Sequence, residues 1–79
     1  MDLTALRKAL AELNGERACE FAFAGADEHV SRLLVQNAML VPEEEDHLIK
    51  VTDGRSITVI DASRVMWVRI GLTDALGTV

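Results

Sequence analysis

The sequence predicts a small, mainly β domain with an N-terminal α-helix, folded as a strongly bent antiparallel meander or barrel. Segment 47–70 contains three short runs in which apolar and polar residues alternate. Asp53-Gly54 separates the first two runs, and this dipeptide between alternating runs is typical of a β-hairpin. The chain of 79 residues is long enough for one domain with a small core, so we treat 1–79 as a single unit.

The first element is a helix over residues 2–14. Asp2 can cap its start, and the apolar positions follow helical spacing. Asn14-Gly15 is a common stop signal for a helix. The predicted buried stripe consists of Leu3, Leu6, Leu10 and Leu13.

Residues 17–24 alternate and predict the first strand, with Cys19, Phe21 and Phe23 on one face. Cys19 is then a buried apolar thiol, because reactive cysteines need electropositive surroundings. A single cysteine cannot form an intrachain disulfide, which favours a reducing compartment and a cytoplasmic location. The N-terminus shows no basic region followed by an apolar run of the secretory type.

Segment 30–41 fits two structures. As a helix it has an acceptable apolar stripe, with Asp27 as its cap and Pro42 beyond its end. As a strand it places Leu33, Val35, Met39 and Val41 on one face. We interpret it as a strand, because the strands that follow need a pairing partner and a meander over 16–70 supplies it.

The hairpin register follows from the apolar pattern. A two-residue loop would pair Ile49 with Thr58, whereas a three-residue loop, 52–54 with Gly54 left-handed, pairs Ile49 with Ile57. The second option is predicted. It places on the core face Ile49, Val51, Ile57 and Val59.

The last strand, 65–70, is apolar on both faces around the only tryptophan, and residues 71–79 are predicted to be a tail. One face can meet the core, and the other needs the helix or another subunit as cover. We therefore predict an oligomer interface at Met66, Trp67 and Val68. Apolar residues make up 49% of the chain and its mean hydropathy is +0.17, which also favours self-association, with a ring preferred over a dimer.

Charge is concentrated in one segment. The net charge is −5, and residues 43–46 alone are four consecutive carboxylates. The expected structure is a solvated loop after Pro42, with a cation site or docking patch as the alternatives. The run lacks the ligand spacing and turn glycine of a calcium loop. No apolar run approaches the roughly 20 residues of a membrane span, so no membrane partner is expected.

The polar residues suggest no enzyme. Asp27, His29 and Ser31 would share one strand face, but residues two apart on a strand cannot surround each other as a nucleophile, base and orienting group must. His29 and His47 lack the fixed spacing of metal ligands. No glycine-rich phosphate loop is present. The sequence therefore predicts no catalytic residue, no metal and no cofactor.

Residues 59–65, Val-Ile-Asp-Ala-Ser-Arg-Val, resemble the segment that joins the fourth and fifth strands in bacterial Sm-like RNA chaperones. The order of a helix, four or five strands and a short helical turn before the last strand is also similar to the Sm-like fold. The resemblance implies that fold and assembly into rings. It transfers no RNA-binding residue, because Asp61 stands where the bacterial pattern has a pore-lining histidine, and the isoleucine-arginine-glycine signature and the first Sm motif are absent.

Two functions follow as expectations. The first is a non-enzymatic assembly or interaction module that forms homo-oligomers. The alternative is an Sm-like protein that binds RNA as a ring, with Arg55, Arg64 and Arg69 gathered around its opening. RNA binding driven by phosphate contacts would weaken steeply with salt.

Overall fold

In a computed structural model of the chain, residues 1–25 and 30–72 are described. This part is mainly β with one N-terminal helix, as the sequence predicts. Most of the predicted tail, 73–79, lies outside the described residues. The elements are α1 (Leu3–Leu10), β1 (Arg17–Ala24), β2 (Val30–Leu40), β3 (Ile49–Thr52), β4 (Ile57–Ile60), a 3-10 turn (Ala62–Arg64) and β5 (Val65–Ile70).

Helix α1 starts as predicted and ends earlier. The Asp2 carboxylate accepts a hydrogen bond from the Ala5 N–H at 3.0 Å, which satisfies one of the free donors of the first turn. The helix stops at Leu10 instead of reaching residue 14. Gly15, with φ +87°, donates its N–H to the Ala38 carbonyl at 3.0 Å, so it leads the chain into the sheet and does not cap the helix.

The sheet is antiparallel with strand order β4-β3-β2-β1-β5. Strands β1 to β4 form the predicted meander, but β5 returns to pair with β1, and the sheet does not close into a barrel. The 3-10 turn redirects the chain. The Asp61 carboxylate fixes its start by accepting from the Ser63 N–H at 3.0 Å and the Ser63 hydroxyl at 2.6 Å.

Strand β1 lies in the centre of the core. Cys19 and Phe21 are fully buried, and the Phe23 ring stacks on that of Phe21 with 6.2 Å between centroids. These three residues share one face, as predicted. Ala18 and Ala22, on the opposite face, are also fully buried, so β1 is covered on both sides. Neighbouring side chains on β2 and β5 complete the core, among them Leu33, Val35, Val68 and Ile70.

Strand β2 confirms the strand interpretation of the ambiguous segment. It pairs with β1 as far as Ala38 and with β3 through Met39 and Leu40. Asn37, just before this change of partner, is left-handed with φ +51°. Asparagine tolerates that conformation better than most residues, which accounts for the polar interruption in the apolar pattern of this strand.

The β3–β4 hairpin corrects the predicted register. Thr52 pairs with Ile57 and Ile49 with Ile60, so the loop has four residues, 53–56, and the three-residue loop is wrong. Ile49 is buried together with Val51 and Ile60, whereas Ile57 and Val59 face away from the core. The prediction of the core face is therefore confirmed for Ile49 and Val51 and wrong for Ile57 and Val59.

Hydrogen bonds in the turn explain the longer loop. The Asp53 carboxylate accepts from the N–H groups of Arg55 at 2.8 Å and Ser56 at 2.9 Å. The Thr52 hydroxyl donates to the Ser56 carbonyl at 2.8 Å. Gly54 is left-handed, with φ +92°, as predicted. These local bonds stabilise a turn that the alternation of apolar residues alone does not reveal.

Candidate assembly surface

Strands β4 and β5 are the edge strands of the sheet, since among the described residues each of them pairs with one strand only. An edge strand leaves a row of backbone N–H and C=O groups available to another chain. We call the side of the sheet turned away from the core the outer face.

The β4 edge presents apolar side chains on the outer face. Ile57 is 59% exposed and Val59 is 56% exposed. Val59 pairs with Lys50 of β3, and paired residues lie on the same face of a sheet, so the lysine stem and the two apolar side chains are neighbours. Charged side chains on an edge strand are a common protection against association, and β4, Ile-Thr-Val-Ile, carries none.

The β5 edge carries the predicted interface residues in three different environments. Met66 is 52% exposed, Trp67 is half-buried, and Val68 packs against the core. The register shifts here: Phe23 pairs with Val65, and the preceding residue of β1 pairs with Trp67. Met66 is thus the extra residue of a bulge. The interface itself stays a prediction.

An arginine–tryptophan cluster covers the outer face of β1. Ala22 lies between Arg32 of β2 and Trp67 of β5, and its small side chain lets those two approach each other. The guanidinium carbons of Arg32 and Arg69 lie 5.5 and 5.3 Å from the Trp67 ring centroid. Arg69 also forms an ion pair with Glu20 at 3.5 Å. The cluster therefore has two cations and one carboxylate.

Sequence reasoning found Trp67 and Arg69 but missed Arg32. Nothing in the local sequence around Arg32 marks it, because its neighbours in the cluster come from other strands. Once the strand order is known, the strand pairing itself indicates that Arg32 lies near Trp67. Arg32 and Trp67 are both partners of Ala22, so they face each other across a residue with almost no side chain.

The acidic loop 43–46 is exposed, and most of its carboxylates have partners. Lys50 Nζ donates to Glu44 Oε1 and to Asp46 Oδ2, both at 2.7 Å. His47 Nδ1 lies 2.8 Å from Glu43 Oε2, and Arg7 Nε lies 3.9 Å from Glu43 Oε1. Lys50 therefore ties the loop to β3, and Arg7 ties it to helix α1.

These contacts keep the loop charged. The hydrogen bond from Lys50, followed by that from the Leu48 N–H, lowers the pKa of Asp46 below its usual value. The bonds to Asp46 and then Glu44 raise the pKa of Lys50. The four carboxylates outnumber the nearby lysine and Arg7, so the loop keeps a net negative charge.

The three arginines predicted to bind RNA lie on three different elements. Arg55 is at the hairpin tip and lines a cavity with Gln36 and Asn37. Arg64, at the end of the 3-10 turn, lines a different cavity of about 430 Å³. Arg69 belongs to the cluster around Trp67. Arg55 and Arg64 thus line different cavities, and Arg69 lies beside Trp67 on the outer face.

The residues considered for catalysis and metal binding are only partly visible. Asp27 and His29 lie outside the described residues, and Ser31 is exposed on β2. Within residues 1–25 and 30–72, no three His, Cys, Asp or Glu side chains are grouped as metal ligands. The one helix of that same part is too short and too polar to cross a membrane.

Compared with known proteins, the chain matches no family model, no curated protein and no solved structure at a significant level of similarity.

Proposed function

We propose that this domain is a non-enzymatic assembly module that forms homo-oligomers through its free sheet edges. The observation that carries the proposal is the outer face of β4, where Ile57 and Val59 are more than half exposed at an edge with unpaired backbone groups. Backbone pairing with another strand would satisfy those groups, and apolar burial would add to the affinity.

The other edge supplies a suitable partner surface. Met66 is exposed there, and Trp67 is half-buried. Tryptophan and methionine are enriched at protein interfaces. A ring is the expected form, because the Sm-like resemblance implies one and because a chain with two different edges can bind a copy at each.

Analytical ultracentrifugation tests the proposal with a matched pair of variants. The wild-type chain is expected to sediment well above its 8.7 kDa monomer mass at micromolar concentration. Val59→Lys places a charge at the edge and is expected to shift the chain to monomer. Leu34→Lys is the control, because Leu34 is 47% exposed on the same outer face but on an interior strand. If the wild-type chain sediments as a monomer at every accessible concentration, the proposed assembly function is refuted.

RNA binding is the second candidate function, and the cavity at the 3-10 turn favours it. This cavity of about 430 Å³ combines the Phe23 ring, the hydroxyl residues Ser31 and Thr58, and Arg64. That volume is large enough for a small ligand, and a guanidinium beside an aromatic ring suits a base with its phosphate. Asp61 also lines the cavity and opposes an anion there.

Fluorescence anisotropy with a labelled single-stranded RNA tests this candidate. Binding should be weak, should fall steeply with salt, and should be reduced most by Arg64→Ala. Lys8→Ala is the matched control, since Lys8 lies on helix α1 and lines a different cavity. RNA binding that persists at high salt and is unchanged by Arg64→Ala would contradict binding at this cavity. Undetectable binding at low salt would leave assembly as the proposed function.

A further inference from the structure

The arginine–tryptophan cluster on the outer face holds two guanidinium groups beside one half-buried ring. The guanidinium carbons of Arg32 and Arg69 lie 5.5 and 5.3 Å from the Trp67 centroid. Stacking over a ring uses the flat face of a guanidinium and leaves its N–H donors, which lie at its edge, available. Both arginines are exposed, so these donors are accessible from solvent. The ring thus orients two groups that each suit a carboxylate.

We propose that this cluster binds an acidic segment of a partner protein in extended conformation, with two carboxylates at alternate positions. Side chains at alternate positions of an extended chain point to the same side and lie about 7 Å apart. Because the two guanidinium groups flank one indole, each carboxylate meets one arginine and forms a bidentate pair. The inference goes beyond assembly, since it uses side chains of the outer face and not the backbone of a sheet edge.

A peptide fits this cluster better than a nucleic acid does. Single-stranded RNA gains much of its affinity from bases that stack on aromatic rings, but here the two guanidinium groups already lie over the indole of Trp67. The chain also has a net charge of −5, which opposes a long polyanion. A short segment with two carboxylates responds mainly to charges within about 10 Å, and the cluster there has two cations against the single carboxylate of Glu20.

The acidic loop 43–46 of a second copy is a poorer occupant than a separate protein. Lys50 Nζ lies 2.7 Å from a carboxylate oxygen of Glu44 and 2.7 Å from one of Asp46. Two of the four carboxylates of the loop would therefore have to leave Lys50 before they could bind the cluster. A partner whose carboxylates are held only by water has no such bonds to break within its own chain.

Glu20 acts as an internal competitor at this site. Its Oε1 lies 3.5 Å from Arg69 Nη2, and its side chain is 20% exposed, against 58% for that of Arg69. An incoming carboxylate has to share Arg69 with Glu20 or displace it. Removal of the Glu20 charge should therefore strengthen binding, whereas a purely structural ion pair would give no such gain when it is removed.

The emission of Trp67, the only tryptophan, reports binding at the cluster. The probe is a capped peptide of alternating aspartate and serine, and a peptide of alternating asparagine and serine is its uncharged control. At low salt the aspartate peptide should change the emission saturably, and the control peptide should not. Arg32→Gln and Arg69→Gln should each weaken binding roughly fivefold, and Glu20→Gln should strengthen it. Lys8→Gln is the charge-matched control, because helix α1 packs on the core side of the sheet.

Three results would overturn the proposal. The first is an emission that does not change with the aspartate peptide at millimolar concentration. The second is tighter binding of a short single-stranded RNA that is lost in the same arginine variants, which would assign the cluster to nucleic acid. The third is dissociation of wild-type assemblies by Arg32→Gln or Arg69→Gln in sedimentation, which would assign it to contacts between copies. Circular dichroism checks folding, and if an arginine variant does not fold, the gain expected of Glu20→Gln still tests the proposal.

Discussion

The two halves of the sheet are built differently. Strand β1 has a partner on each side and is buried on both faces, with Phe21 and Ala22 fully inaccessible. The β3–β4 hairpin has strands of four residues, one buried face and a polar turn. In the first half many apolar contacts determine the register. In the second, hydrogen bonds in a short turn decide which apolar residues reach the core, and the same bonds leave Ile57 and Val59 on the surface.

The largest effect is expected in the β1 half. Phe21→Ala removes a fully buried ring and should destabilise the domain by about 3–5 kcal/mol, because a cavity remains where the ring was. For a domain of this size that loss approaches its whole stability. Urea unfolding followed by circular dichroism measures it, and a change below about 1 kcal/mol would contradict the description of β1 as the centre of the core.

The hairpin register is tested by two neighbouring residues. Ile60→Ala should cost about 2–4 kcal/mol, since Ile60 is buried, whereas Val59→Ala should change the free energy of unfolding by less than about 0.5 kcal/mol. The measurement is urea unfolding at a concentration where sedimentation shows monomer, because assembly would otherwise contribute. A larger loss of stability for Val59→Ala than for Ile60→Ala would instead support the register predicted from the sequence.

A smaller effect is expected at the left-handed glycine of the turn. Gly54→Val should destabilise by about 1–3 kcal/mol, because a β-branched residue resists a φ of +92°. A Cβ at this position meets no atom within 4 Å, so the loss would come from the backbone conformation and not from a clash. Gly54→Asn is the control, and it should be the milder substitution. Equal losses would argue against the left-handed conformation.

The smallest effect concerns pH. Hydrogen bonds from the Arg55 N–H and then the Ser56 N–H lower the pKa of Asp53 in the folded state. A carboxylate with a depressed folded pKa stabilises the fold above its unfolded pKa, and this stabilisation is lost as pH falls through the folded pKa. The melting temperature should therefore decrease as the pH is lowered below about 4, and the decrease should be smaller in the Asp53→Asn variant. Identical pH profiles for the two proteins would count against this role of Asp53.

The sequence predicted what depends on local pattern. The cap at Asp2 and the shared face of Cys19 and Phe21 follow from residue spacing. The strand within 30–41 was inferred because the strands that follow need a pairing partner. The structure confirms all three. The hairpin register failed because Ile57, Val59 and Ile60 are all β-branched apolar residues, so either face of β4 satisfies the pattern. The side-chain hydrogen bonds of Asp53 then decide between the two faces.

The candidate surface was harder to predict. Trp67 was identified from the apolar last strand and Arg69 as a possible RNA contact, but Arg32 joins them only through the pairing of β1 with both β2 and β5. The pairing of β5 with β1 joins residues far apart in the sequence, and no local sequence pattern indicates it.

The buried thiol of Cys19 has a practical consequence. Burial raises its pKa to about 11, so almost no thiolate exists near neutral pH in the folded chain. A thiol reagent attacks the thiolate and must also reach the sulfur at the centre of β1, so labelling has to wait for the strand to open. The rate of labelling at low reagent concentration therefore reports how often the core opens around β1, and it needs no engineered probe.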